Sequence, residues 1–257
     1  MIFGVQAPRA LARAVLGGCV FLLAAGAWIA LWMAEAGGAW FLGHHAHGYA
    51  AHGDPGPFYP LVFIAGWIVM TVAMMLPTTL PVLATFHAIA GERTEKTFLL
   101  VLAVAGYLSV WAAFGAAVWF VVHLVDGSTA SVPWLRRYAS MITPLLFLVS
   151  GAFQFSRLKY RCLDKCRSPY SVVAEHWQGT RNRWNAYRLG LSSGIFCVGC
   201  CWALMLLMFA FSVNSLAWMF MLAVVMAVEK NVPWGRRISA PVGVTLVLTG
   251  VILLFRG

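Results

Sequence analysis

Seven apolar runs divide this chain, at residues 13–33, 59–84, 98–123, 141–157, 189–212, 215–230 and 238–255. A helix needs about 20 mainly apolar residues to cross the hydrocarbon of a bilayer, and each run reaches or approaches that length. Their continuity favours helices over a barrel, whose strands read as roughly ten-residue alternating segments. Composition agrees. The chain is 61% hydrophobic and 10% charged, whereas soluble domains are about a quarter charged. A soluble fold of this size has too little interior to hide that much apolar surface. The sequence therefore predicts an all-α, multi-pass transmembrane helical bundle of seven spans, with residues 1–257 forming a single integral membrane domain solvated by the lipid bilayer. The first run is longer than the apolar core of a cleavable signal peptide and is expected to remain as a span.

Charge sets the expected orientation. With the N-terminus inside, 15 of the 18 Lys and Arg fall on the cytoplasmic side. They are Arg9 and Arg13, then Arg93 and Lys96, then the basic stretch from Arg157 to Arg188, and finally Lys230, Arg236 and Arg237. Only Arg136, Arg137 and Arg256 lie outside. Cytoplasmic loops retain Lys and Arg, so the expected topology is N-terminus in, C-terminus out. The same rule accounts for the net charge of +10 without nucleic acid as a partner.

Chemistry concentrates in sulfur. Of six cysteines, five fall in two places: Cys162 and Cys166 just past the fourth run, and Cys197, Cys200 and Cys201 inside the fifth. On a helix, i, i+3, i+4 spacing carries the last three to one face, which Met205 and Met208 continue. The second run holds Met70, Met74 and Met75 ahead of Pro77 and Pro81. Each proline removes a backbone donor and clashes one turn back, so a break is expected that frees carbonyls near Met74 and Met75. Thiolate and thioether donors suit Cu(I), with Zn(II) a less favoured candidate. The predicted metal ligands are Cys197, Cys200, Cys201, Cys162, Cys166, Met74, Met75 and Met205. The two clusters form either one site or two stations on a route. A possible outer capture site lies at His44, His45, His47 and His52, four imidazoles within nine residues.

Other polar residues read more plainly. Glu229 and Lys230 close the sixth run and are expected at the cytoplasmic edge, paired or snorkelling. Asn214 reads as a turn residue, and His87 and His123 as interfacial. Hydrolase and nucleotide-binding motifs are absent from the sequence, and no acidic residue lies deep in a span. The chain is therefore read as a non-enzyme with no organic cofactor.

Several segments resemble a family of bacterial integral membrane proteins, DUF2182, described as predicted metal-binding. The matching pieces are Ala73 to Pro77, Leu158 through Cys162 and Cys166 to Pro169, Cys197 to Met205, Asn214 with Leu216 to Met219, and Glu229-Lys230 with Pro233 to Gly235. The resemblance implies a copper chaperone or metalloprotein assembly factor in the bacterial inner (cytoplasmic) membrane, with a copper enzyme or larger membrane complex as partner. The chain departs from the family pattern in having Ser192-Ser-Gly194 where His-Gly is common, and Val213 where Met is common. Two other functions remain open from the residues: a non-catalytic accessory subunit of a larger membrane complex, and a membrane thiol oxidoreductase cycling Cys197 and Cys200.

Overall fold

The computed structural model describes residues 6–36, 59–89, 95–131, 141–176, 182–209 and 216–256. All regular structure among them is helical. The elements are α1 (Gln6–Ala36), α2 (Tyr59–Met74), α3 (Leu80–Ile89), α4 (Lys96–Ser131), α5 (Ile142–Phe153), α6 (Arg157–Cys166), α7 (Pro169–His176), α8 (Asn182–Leu206), α9 (Leu216–Asn231) and α10 (Gly235–Arg256). The candidate outer capture site at His44, His45, His47 and His52, and Asn214, lie outside the described residues.

Four helical segments are long and apolar enough to cross a membrane: 14–36, 96–124, 183–206 and 235–256. A fifth candidate is the pair 60–74 and 77–89, bent by 50°. The fourth and sixth runs form helices of only 12 and 16 residues, α5 and α9. Large apolar side chains point outward on the long helices, among them Phe21, Leu22 and Trp32 on α1 and Leu248, Ile252 and Phe255 on α10. Apolar exposure on that scale marks a surface meant for lipid or another protein.

The breaks have local causes. Pro77 has no N–H, so the carbonyl four residues back, on Ala73, loses its helical partner; the indole N–H of Trp28 on α1 donates to it instead, at 3.2 Å. The Thr78 hydroxyl donates to the Met75 carbonyl at 2.7 Å, and a short 3-10 turn at Pro77–Thr79 joins α2 to α3. The expected break is therefore present, and the Ala73 and Met75 carbonyls beside it accept from within the chain.

The fourth run behaves differently from its continuous apolar reading over 141–157. α5 stops at Phe153, and Ser156 adopts an extended conformation whose side chain accepts from the Lys159 N–H, starting α6 as a new helix. Cys162 and Cys166 thus belong to a separate short helix that turns back onto α8.

Close helix contacts rest on residues without side chains. α4 lies along α8, and α5 along α10. A Cβ on Gly190 would run into the Ala103 carbonyl, and one on Gly151 would sit 2.7 Å from Val247 Cγ2. Small residues at these crossings let the backbones touch, the usual means of packing helices where no water is expelled. Gly17 on α1, by contrast, has nothing within 4 Å of its would-be Cβ.

Gly190→Ala is therefore expected to destabilise the fold by about 1–3 kcal/mol through overpacking. Gly17→Ala should be neutral or stabilising by up to about 1 kcal/mol through helix propensity. Thermal unfolding of the two variants in detergent measures both; equal melting temperatures would contradict the packing account.

A candidate metal centre of buried sulfur

The site forms where α8 meets the end of α2, the end of α6 and the end of α9. The segment Cys197-Val-Gly-Cys-Cys puts its three sulfurs on the inner side of α8, and all three cysteines are buried. They do not aim at one point. The Cys200 and Cys201 thiols both donate to the Cys197 carbonyl, at 3.1 and 2.8 Å, and from there they serve different neighbours. Cys201 Sγ lies 3.9 Å from Met75 Sδ. Cys200 Sγ lies 4.0 Å from Cys166 Sγ on α6. Cys197 Sγ lies 3.0 Å from the Tyr107 hydroxyl on α4. The three cysteines thus share one side of α8, and packing divides their sulfurs between two neighbourhoods, Cys197 and Cys201 toward Lys230 and Met75, and Cys200 toward Cys166. Among the described residues no three His, Cys, Asp or Glu side chains converge as a metal cage.

The pairs nevertheless suit a soft ion. Two metal–sulfur bonds of about 2.3 Å each span a sulfur separation of 3.9 to 4.0 Å at an angle of roughly 120°. Cys201 with Met75 is one such pair, and Cys166 with Cys200 is the other. Cys162 stands beside the second: a Cβ on Gly199 would come within 2.6 Å of its sulfur, so Gly199 is the residue that makes room for it. The contact with Cys200, followed by burial, holds the Cys166 thiol well above the usual range. Burial, followed by the charge of Cys200, raises Cys162. Met74 and Met205, the other predicted ligands, are buried in the same apolar cluster as the thiols, with Met70, Met219 and Met226. Met75 is the methionine whose sulfur faces Cys201.

The charged residues around the sulfur are those the sequence reading placed in solvent or at an edge. Lys230 is 7% exposed, and its ammonium points among the sulfurs: 2.9 Å from Cys197 Sγ, 3.4 Å from Met75 Sδ and 3.9 Å from Cys201 Sγ. Glu229 does not pair with it. The Glu229 carboxylate accepts from Lys159 Nζ at 2.8 Å on both oxygens, and from the Ser239 hydroxyl at 2.8 Å. Lys159, counted with the basic loop from sequence alone, is completely buried, and its Nζ also donates to Gln154 Oε1. Arg167 donates to the carbonyls of Glu229 and Pro233, both at 2.8 Å, and so caps the C-terminal end of α9. It follows Cys166 directly, which locks that thiol against the site.

Tyr107, Lys159, Arg167 and Lys230 are thus site residues that sequence reasoning missed. A signal existed for two of them. Arg167 follows a cysteine of the paired motif, and Lys230 follows an acidic residue at the end of an apolar run. For Tyr107 no signal existed beyond an aromatic residue in a span.

Buried thiols and a thioether in close pairs, with charged groups held beside them, set the class: a helical protein with a buried sulfur cluster. The comparison with protein families then narrows the class: a family model described as "PpoB2: Copper chaperone" matches residues 64–253. The chain belongs to this family of copper chaperones. Neither the curated proteins nor the solved structures gave a match. The matched region includes every sulfur of the two pairs, so the copper-related role and the cluster fall in the same part of the chain.

The Lys159–Glu229 pair supplies a test of how the site is held. Removing one partner of a buried ion pair strands the other charge and costs about 3–5 kcal/mol, whereas replacing both partners by neutral groups of similar size is close to neutral. Lys159→Met is expected to lower stability by that amount, and Lys159→Met with Glu229→Gln to recover most of it. Denaturant unfolding of the three proteins in detergent checks this; a double variant no better than the single one would exclude the pair as the cause.

Proposed function

We propose that this protein is a membrane-embedded copper chaperone that carries Cu(I) as cargo between buried sulfur stations and hands it to a copper enzyme or a larger membrane complex. It performs no catalysis of its own. The observation that carries the reading is the pair of sulfur separations, 3.9 Å for Cys201 with Met75 and 4.0 Å for Cys166 with Cys200. Both join other elements to the same two-residue step of α8. An ion held by Cys166 and Cys200, with Cys162 alongside, lies one residue along the helix from the Cys201 and Met75 pair. Transfer between them needs exchange of one sulfur ligand at a time, with no free ion in the low-dielectric interior. Soft donors favour Cu(I), and Zn(II) is disfavoured by the thioether.

The copper comes to this chain as cargo, since a chaperone must release what it binds. Cys166 and Cys200 hold it at one station, with Cys162 alongside, and Cys201 and Met75 at the other, with Cys197 completing that seat. Met74 and Met205 line the same cluster. The stated topology is part of the proposal: seven spans in the bacterial inner membrane, N-terminus inside and C-terminus outside, with α5 and α9 as the short spans. Two features support it. The apolar faces of the long helices point outward, and Lys and Arg are distributed unevenly between alternate loops.

Two measurements follow. Copper content of the detergent-purified chain, reconstituted with Cu(I) under reducing conditions, is expected to fall by more than about tenfold in affinity in Cys200→Ser/Cys201→Ser, which breaks both pairs at once. Undiminished binding would remove the sulfur cluster from the function. For topology, a periplasm-active reporter fused after residue 137 should be active, and one fused after residue 93 inactive; the reverse pattern would invert the proposed orientation.

A further inference from the structure

The ammonium of Lys230 stands where a metal ion would stand. It has three protons and three sulfurs around it: Cys197 Sγ at 2.9 Å, Met75 Sδ at 3.4 Å and Cys201 Sγ at 3.9 Å. A lysine is seldom spent on such a place, because a buried ammonium needs compensation and sulfur is a weak acceptor. The carboxylate of the adjacent residue, Glu229, is already taken up by Lys159 and Ser239. Other cationic side chains near the site are engaged elsewhere: Lys159 with Glu229 and Gln154, and Arg167 with two carbonyls of the α9 end. Among the described residues, Lys230 is thus the cation in contact with the thiols of α8.

We propose that Lys230 is a built-in stand-in for the cargo ion: its ammonium fills the Cys197, Cys201 and Met75 seat while the site is empty, moves aside when a monovalent soft cation arrives, and by staying nearby selects against divalent ions. The proposal rests on the copper reading above and deepens it. A metal ion within bonding distance of those sulfurs and an ammonium at its present place overlap, so the side chain must rotate outward for the ion to seat. Its four-carbon stem allows that without moving the helix.

Charge supplies the selectivity. On Cu(I) or Ag(I) the two thiols bind as thiolates, and their two negative charges balance the ion and the displaced ammonium. One proton leaves each thiol that was protonated and passes to solvent. With Zn(II) in the same seat one positive charge is left over, in surroundings where an uncompensated charge is costly. Replacing Lys230 by a neutral side chain reverses the balance: the Zn(II) complex becomes neutral and the Cu(I) complex carries a surplus negative charge. Lys230 is therefore a specificity-determining residue for the cargo.

The test uses the full chain in detergent, with Ag(I) as a redox-inert monovalent probe and Zn(II) as the divalent one. Affinities are measured by competition against chelators for wild type, Lys230→Leu, Lys230→Gln and Cys197→Ser/Cys201→Ser. The ratio of Ag(I) to Zn(II) affinity is expected to fall by about tenfold or more in both Lys230 variants. Any cost of moving the lysine aside affects both ions alike and cancels from that ratio. A second readout needs no variant: labelling of Lys230 by an amine-reactive reagent, followed by mass spectrometry, should rise when wild-type protein is loaded with Ag(I). An unchanged ratio in a folded variant, or unchanged labelling on loading, overturns the stand-in role. If the double cysteine variant binds Ag(I) as well as wild type does, the sulfur reading itself fails, which is a separate outcome. Should both Lys230 variants fail to fold, the labelling result alone decides.

Discussion

Glu229 and Lys230 are consecutive residues of one helix, so their side chains leave the axis about 100° apart and cannot serve as each other's partner. Both are buried. Each must therefore find its compensation in a different part of the molecule, and the fold is arranged around that need. The carboxylate is answered from one side by Lys159 at the start of α6 and Ser239 on α10. The ammonium is answered from the other by sulfur on α8 and in the turn after α2. One helix end thereby ties together the two halves of the site. Arg167 caps the same end, which keeps Cys166 in register with Cys200.

The sulfur pairs depend on two interruptions of helical geometry. The proline break after α2 carries Met75 to the turn that faces α8, and Trp28 reaches across from α1 to satisfy the Ala73 carbonyl that Pro77 leaves open. The Ser156 cap ends one helix and begins another, so that α6 returns along α8 and delivers Cys162 and Cys166 beside Cys200. Gly199 leaves the space that Cys162 occupies. A straight, uninterrupted helix at either place would carry those sulfurs away from α8. Each of these interruptions moves a sulfur toward the same short segment of α8.

The helical class, the proline break and the identity of the sulfur-bearing segments were legible in the sequence because each has a local cause. Apolar run length fixes a helix, a missing N–H fixes a break, and spacing of three and four fixes a common side. The boundary between α5 and α6 was only partly legible: the apolar run ends at residue 157, but the cap that starts a separate helix there works through a single side-chain oxygen, that of Ser156. Nor was the burial of Lys159: in the sequence it is one basic residue among eight between 157 and 188, and only its partner on α9 distinguishes it.

By itself the sequence determined which atoms are available: three neighbouring cysteines and several methionines on apolar helices, two more cysteines in a basic segment, and two adjacent opposite charges at the end of one apolar helix. The tertiary structure decided how those atoms are shared. It divided the three thiols of α8 between Cys166 on one side and Met75 on the other, and it sent the lysine to the sulfur and the glutamate to a distant lysine. Helical periodicity specifies direction from one axis only, whereas a contact needs two axes, and what brings sulfur to α8 from elsewhere is the break at Pro77, the Ser156 cap before α6 and the room left at Gly199.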